Sequence, residues 1–231
     1  PYMDIRLPCG GAIELVVDAG VSLSGLERID AAFRRRVLSA MDIPDAGGAL
    51  VAGGGKGPFR RFYLPRRRLV VAGIGPVAVQ LARLARVGGF DVEVASSDEI
   101  TREAADAAEI ESQAIGRSAD GWTLGIDSRS AVVLAFHDHE WETGLLPEIL
   151  RSDAFYIGAM GSMRTHALRV ARLKAAGFDD RAIGRIRAPA GILPGARGAV
   201  EIAASIFAEI IAAEAKMAGE APVLTVCRPA S

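Results

Sequence analysis

Residues that usually advertise a chemistry are scarce in this 231-residue chain. Cysteine occurs only at Cys9 and Cys227, too few for a disulfide framework and compatible with free thiols in a reducing compartment. Histidine occurs three times, with no carboxylate or cysteine set at ligand spacing beside it, which argues against a metal site. An excess of positive charge is also lacking: Lys plus Arg is 27 against Asp plus Glu 28, a net charge of -1. That removes the usual electrostatic footprint of a nucleic-acid binder. No apolar stretch approaches the roughly 20 residues needed to cross a bilayer. The beginning of the sequence has no charged-then-apolar signal pattern. The expectation is a cytoplasmic chain with neither nucleic acid nor membrane as partner.

What the chain has is apolar content, 50% of residues, enough for a substantial core in one large or two small domains. Its organising stretch is Leu69-Val70-Val71-Ala72-Gly73-Ile74-Gly75-Pro76-Val77-Ala78, an apolar run that meets a Gly-x-Gly-x-x-Ala turn. This predicts the strand, turn and helix that open a Rossmann unit. Gly73 permits the tight turn, Gly75 lets a pyrophosphate approach the backbone, and Ala78 allows helix and strand to pack closely. Pro76 suits the first helical position. Val77, Leu81, Leu84, Ala85 and Gly88 share one helical face.

Upstream, residues 3–7 and 12–17 read as strands around Pro8-Cys9-Gly10-Gly11, a hairpin-like arrangement. A helix follows, with Ser22 or Ser24 as cap and Leu26, Ile29, Ala32, Phe33, Val37 and Met41 along one face. Residues 44–58 form a glycine-rich connection. Lys56 there is followed by Gly57, so the phosphate-loop pattern is not completed. Downstream, strands are expected at 92–95, 109–115, 131–136 and 155–158, and helices at 101–107, 141–150, 163–176 and 197–217. Val200, Ala203, Phe207, Ile210 and Ile211 are expected on the apolar face of the last helix, which would also suit a homodimer. The basic runs Arg34-Arg35-Arg36 and Arg66-Arg67-Arg68 read as solvated faces. Alternating strands and helices imply an α/β fold: a Rossmann-like parallel sheet with helices on both faces, preceded by a small α+β segment. The expected division is an N-terminal segment and linker over 1–66, a Rossmann-like domain over 67–218, and a loose tail over 219–231.

Ligands of an open parallel sheet bind outside the carboxyl ends of its strands. The candidate binding residues there are Gly73, Gly75, Ser96, His137, His139, Gly158, Gly161, Ser162, Arg164 and Gly191. Ser96 stands where a dinucleotide-binding unit normally has an acid for the ribose hydroxyls. Asp98 lies two residues on, and no arginine directly adjoins Ser96 to hold a 2′-phosphate, so NAD(P) is disfavoured. His137-Asp138-His139 ends a strand and offers ligand contact, proton transfer or a plain turn. Gly161-Ser162-Met163-Arg164 joins backbone N–H groups, a hydroxyl and a guanidinium at a helix start, which suits a phosphate or simple capping by Ser162. Arg187 to Gly191 and Glu201 are expected to border the same cleft. Cys9 before two glycines is a candidate reactive thiol or a buried inert one.

In order along the chain, these motifs resemble the XdhC/CoxI family of accessory proteins for xanthine dehydrogenase and related molybdenum hydroxylases. The resemblance runs through Cys9-Gly10-Gly11, the Gly73 to Ala78 turn and His137-Asp138-His139. It continues through Tyr156 to Arg164, Ala188 to Ile192, and Glu201 to Ile210. It implies a protein that binds molybdenum cofactor (molybdopterin) as cargo, assists its sulfuration with a cysteine desulfurase, and passes it to a client hydroxylase without turnover. In that setting a thiolate at Cys9 suits a molybdenum or sulfur centre. The chain departs from the family's usual pattern at Pro76, where a histidine is usual, and at Ser96, where an acid is usual. Much of the family's upstream region is expected to be missing. Two rival readings use the same cleft: an NAD(P)-dependent oxidoreductase and a non-catalytic Rossmann scaffold that binds protein partners.

Overall fold

The computed structural model describes residues 22–43, 51–52, 59–116, 125–136, 140–218 and 224–226. Cys9, the expected strands at 3–7 and 12–17, Lys56 and the His137-Asp138-His139 segment lie outside the described residues. In chain order the elements are α1 (Leu23–Arg34), β1 (Ser39–Ile43), β2 (Val51–Ala52), β3 (Phe59–Tyr63), β4 (Arg68–Gly73), α2 (Pro76–Val87), β5 (Asp91–Ser96) and α3 (Glu99–Asp106). They continue with β6 (Glu111–Ala114), β7 (Ser130–Ala135), α4 (Glu140–Arg151), β8 (Tyr156–Ala159), α5 (Met163–Ala175), α6 (Asp180–Ile183), β9 (Ile186–Arg187), α7 (Ala199–Ala218) and β10 (Leu224–Val226). The chain divides into two compact units, one of residues 1–64 with 223–231 and one of residues 65–222.

In the first unit, Ser22 caps α1 by accepting a hydrogen bond from the Gly25 N–H at 3.2 Å. The helix stops earlier than its apolar spacing suggests. Arg36 takes a positive φ of 57°, ending the helical run, so Met41 falls in β1 and not on the helix. β1 pairs antiparallel with β2 and β3, giving the order β10-β3-β1-β2. Part of the segment expected to be loose tail is therefore strand: Leu224 lies opposite Arg61 and Val226 opposite Phe59. The alternation Leu-Thr-Val suits an added edge strand.

The second unit contains a six-stranded sheet in the order β6-β5-β4-β7-β8-β9, with every pairing parallel. β4 and β7 are covered on both faces, which is why they read as near-continuous apolar runs. On one face α4 and α5 bury Leu145, Ile149 and Leu173 against Val132, Leu134 and Ile157. On the other, α2, α3 and α7 bury Leu81, Ala105, Ala203, Ile206 and Ile210 against Leu69, Val71 and Val133. The buried face of α7 is rotated from the one expected, since Val200 and Ile211 are exposed and Ile206 is buried. Helix α2 begins with Gly75 at a φ of 88° and Pro76 in its first turn, as the turn chemistry requires.

Arg67 and Arg68 of the second basic run are structural and not part of a solvated face, while Arg66 is exposed. Arg67 pairs with Glu214 of α7 at 2.8 Å and lies over the Phe90 ring at 4.5 Å. Arg129 reaches the other oxygen of Glu214 at 3.3 Å, and Arg68 pairs with Glu93. By contrast Arg34 lies on the surface, bonded to Asp30 one turn back.

At Gly73 the strands β4 and β7 approach so closely that an added Cβ would sit 2.5 Å from the Ala135 carbonyl oxygen. Backbone on one side and a packed core on the other leave no soft neighbour to move. Gly73→Ala is expected to cost about 1–3 kcal/mol of stability through overpacking. In urea unfolding this appears as a lower midpoint with an unchanged slope.

Candidate functional site: the cleft beyond β8 and β9

Three strand ends on the second unit carry the polar groups of interest. Beyond β4, the Gly75 N–H donates to Thr101 Oγ1 at 2.8 Å, and that hydroxyl donates on to Asp98 Oδ2 at 2.5 Å. The same carboxylate caps α3 through the Thr101 N–H at 2.8 Å. These bonds, the side-chain one first, hold the Asp98 carboxyl below its ordinary range. Ser96 is fully buried and its hydroxyl accepts from the Asp98 N–H at 3.2 Å. An arginine does stand at this strand end: Arg102 Nη1 donates to the Ser96 carbonyl at 2.8 Å, from the first turns of α3 and out of view of a linear reading. The residues that would grip a dinucleotide are thus engaged with one another.

Beyond β8, Met160 is fixed from both sides. Its N–H donates to the Leu134 carbonyl at 2.9 Å, and its carbonyl accepts from Arg169 Nη2 at 3.0 Å. Arg169 and Glu142 form a buried side-on pair, Nε to Oε2 at 2.8 Å and Nη2 to Oε1 at 3.0 Å. Arg169 Nη1 and His166 Nδ1 are buried and have no hydrogen-bond partner among the described residues. Burial, and then the neighbouring Arg169 charge, push the His166 imidazole below its ordinary value. Gly161 turns the chain with a φ of 123°. Ser162 caps α5 by accepting from the Thr165 N–H at 3.2 Å, and Arg164 is exposed. Gly158 makes room for protein, since a Cβ there would meet the Tyr156 ring at 2.7 Å.

Beyond β9 the chain passes through a cis Ala188–Pro189 bond, and Ala190 donates to the Ala159 carbonyl at 3.1 Å. Helix α7 then holds the segment. Glu209 Oε2 accepts from the Gly191 N–H at 2.7 Å and from the Tyr156 hydroxyl at 2.7 Å. One turn earlier, Ser205 Oγ accepts from the Leu193 N–H at 2.8 Å. Tyr156 stays protonated, because burial first and the Glu209 bond and charge second drive its phenol far above the ordinary value. Glu201, expected at the cleft, instead accepts from the Arg197 N–H at the start of the helix.

Between the 160–163 turn and the 189–196 segment lies a cleft of about 480 Å³. Met160, Gly161, Met163, Gly191, Ala196 and Ser205 are among its walls. This volume falls within the usual range of small-molecule sites, roughly 300–1,000 Å³. The groove between α4 and α5, at about 80 Å³, has room for only a few waters. The structure therefore brings Gly161 and Gly191 together, while Gly73, Gly75, Ser96, Gly158, Ser162 and Arg164 are not in the cleft wall. Glu209, Ser205 and Tyr156 were not among the expected site residues. The available signal was a Ser and a Glu four residues apart interrupting the apolar face of α7. No group of three or more His, Cys, Asp or Glu that could hold a metal ion occurs among the described residues.

Residues 69–210, from β4 to most of α7, match the family described as the XdhC Rossmann domain. The chain belongs to this family. It is 30% identical over 220 residues to the Escherichia coli protein named molybdenum cofactor insertion chaperone PaoD, covering 91% of this chain and 62% of that relative. It is 29% identical over 166 residues to the uncharacterized Escherichia coli protein YqeB, covering 69% of this chain and 29% of that one. A Bacillus halodurans protein described as a xanthine dehydrogenase shares the fold, with a TM-score of 0.63 at 20% identity over 84% of this chain and 64% of its own. The chain thus spans about three fifths of the length of PaoD. Among the described residues, no helix is long and apolar enough to cross a membrane.

Two measurements test the geometry. Glu209→Ala removes the acceptor of the Gly191 N–H, a charge-assisted bond contributing about 1.5–3 kcal/mol. Amide exchange at 190–193 should then accelerate roughly 10- to 100-fold, while Tyr156→Phe, which keeps the carboxylate, leaves the Gly191 amide protected. Asp98→Asn should lower the urea midpoint at neutral pH. Because the native carboxyl titrates below its unfolded value, its contribution is present above the ordinary range and lost as pH falls through the native value. The midpoints of the two proteins should accordingly converge in acid.

Proposed function

We propose that this chain binds molybdenum cofactor as cargo in the cleft beyond β8 and β9 and assists its sulfuration and insertion into a xanthine dehydrogenase-type hydroxylase. The observation that carries the reading is the convergence of two segments of an XdhC-family chain, Met160 to Met163 and Pro189 to Ala196, on one cleft of cofactor size. The name of the PaoD relative, similar over 91% of this chain, supports the same cargo and its insertion. The chain works as a holder without turnover of its own, in the cytoplasm, where a cysteine desulfurase supplies sulfur and the apo-hydroxylase receives the loaded cofactor. Cys9 is the thiol we assign to the neighbourhood of the sulfur during this exchange.

Chemically, a holder must bind without reacting, and among the described residues the cleft wall carries no nucleophile poised against a base. The cleft wall at Gly161 and Gly191 holds the cargo, and the exposed Arg164 meets an anionic group of it. The dinucleotide alternative is not favoured, because the Gly75 N–H is taken by Thr101, and Asp98 is taken as the cap of α3.

The test is retention. Full-length chain mixed with molybdenum cofactor and desalted should keep molybdenum and pterin fluorescence in equal amounts; a protein that emerges with neither overturns the reading. Arg164→Ala should weaken retention about fivefold, the size of one exposed charge contact.

A further inference from the structure

The cleft has an uneven distribution of charge. Its wall holds no charged side chain at all among the described residues, and Ser205 is its one side-chain hydroxyl, already accepting from the Leu193 N–H at 2.8 Å. What remains is thioether, aliphatic surface and backbone: Met160 and Met163 on one side, Pro189, Ala190 and Ala196 on the other. Cations adjoin the wall residues in sequence. Arg164 follows Met163, Arg187 precedes the Ala188–Pro189 bond, and Arg197 follows Ala196; all three side chains are exposed. None of the three forms an ion pair with a carboxylate among the described residues. Placing a phosphate inside such a wall would strip its water without supplying a counter-charge, whereas placing it at the rim costs little.

We infer that the cleft takes the uncharged, flat ring end of its cargo, a pterin-type heterocycle, and leaves the phosphate-bearing end outside on the arginine rim. This rests on the cofactor-binding reading and sets the orientation of the cargo within it. The polarizable sulfurs of Met160 and Met163 suit the edge and face of an aromatic ring. The segment 189–196 supplies a wall of fixed shape, because Ser205 and Glu209 hold its backbone at Leu193 and Gly191. Ring recognition is therefore a matter of shape, and the phosphate adds attraction that salt can screen.

The orientation is tested on the full-length chain with two fluorescent probes, neopterin and neopterin monophosphate, and with inorganic phosphate as competitor. The expected result is that both pterins bind, that the monophosphate is favoured by less than about tenfold, and that inorganic phosphate does not displace neopterin. Raising the ionic strength, or the double change R164E and R197E, should abolish the preference for the monophosphate. Ala196→Trp, which fills the cleft, should abolish neopterin binding; its folding is checked by an unchanged urea midpoint. If that variant does not fold, Met163→Asp, at an exposed helix start, replaces it and should weaken neopterin binding more than tenfold.

Binding of the monophosphate alone, with displacement by inorganic phosphate, overturns the inference, because the phosphate would then be the buried end. Failure of either pterin to bind also overturns it. The outcome is separable from that of the cofactor-holding reading. Retention of molybdenum cofactor together with phosphate-led binding leaves that reading standing and reverses the orientation. Neopterin binding without cofactor retention does the opposite.

Discussion

The buried pair of Glu142 and Arg169 is the constraint on which the strand-end geometry depends. Both side chains are almost wholly withdrawn from water, and each helix of the pair leads into or out of β8. Two ions buried this way are a weak source of net stability compared with an apolar replacement, yet removing one of them strands the other at a cost of about 3–5 kcal/mol. The consequence is positional. The guanidinium that α4 orients through Glu142 is the same one that grips the Met160 carbonyl, so the register of two helices fixes the point where the chain leaves the sheet. A hydrophobic pair would pack the helices equally well but would have no donor to give to Met160.

A second constraint works from the opposite face. Helix α7 is apolar enough to be core on one side, yet it spends Ser205 and Glu209 on the backbone of the 191–193 segment. A loop with a glycine at φ 109° has no ladder to satisfy its N–H groups, and side chains of a neighbouring helix take that part. The cleft is thereby built from two irregular segments, each tied to a regular element by charged or hydroxyl side chains.

Much of this was legible in the sequence because the physics was local. The 69–78 stretch announced strand, turn and helix through a buried apolar run, glycine at the turn and proline in the first helical turn. Strands at 131–136 and 155–158 and the helix beginning at Met163 followed from the same reasoning, and the family blocks were contiguous. What escaped depends on contacts distant in sequence. Arg67 and Arg68 looked like a solvated run until Glu214 and Glu93 met them. Arg102 could not be seen beside Ser96, since a helical turn brings it back to the strand. Glu209 and Tyr156 are 53 residues apart, and the phenol donates to the carboxylate only because α7 lies against the strand that carries it. Helical spacing also misled at Met41, where one residue of positive φ ended the helix before the apolar pattern did.

Helix α7 has one further property. Near its end, Glu214 is tied to Arg67 and Arg129 at the starts of two central strands, and nearer its beginning Ser205 and Glu209 hold the wall of the cleft. At 1.5 Å per residue its 20 residues make a rod of roughly 30 Å. It is a strut pinned at the floor of the sheet and bearing on the mouth at the top. Between those two ends Ala203, Ile206 and Ile210 are packed on the central strands and Glu209 is bonded to Tyr156 of β8, so the helix cannot shift without the sheet. The wall of the cleft is thus braced from the far side of the domain.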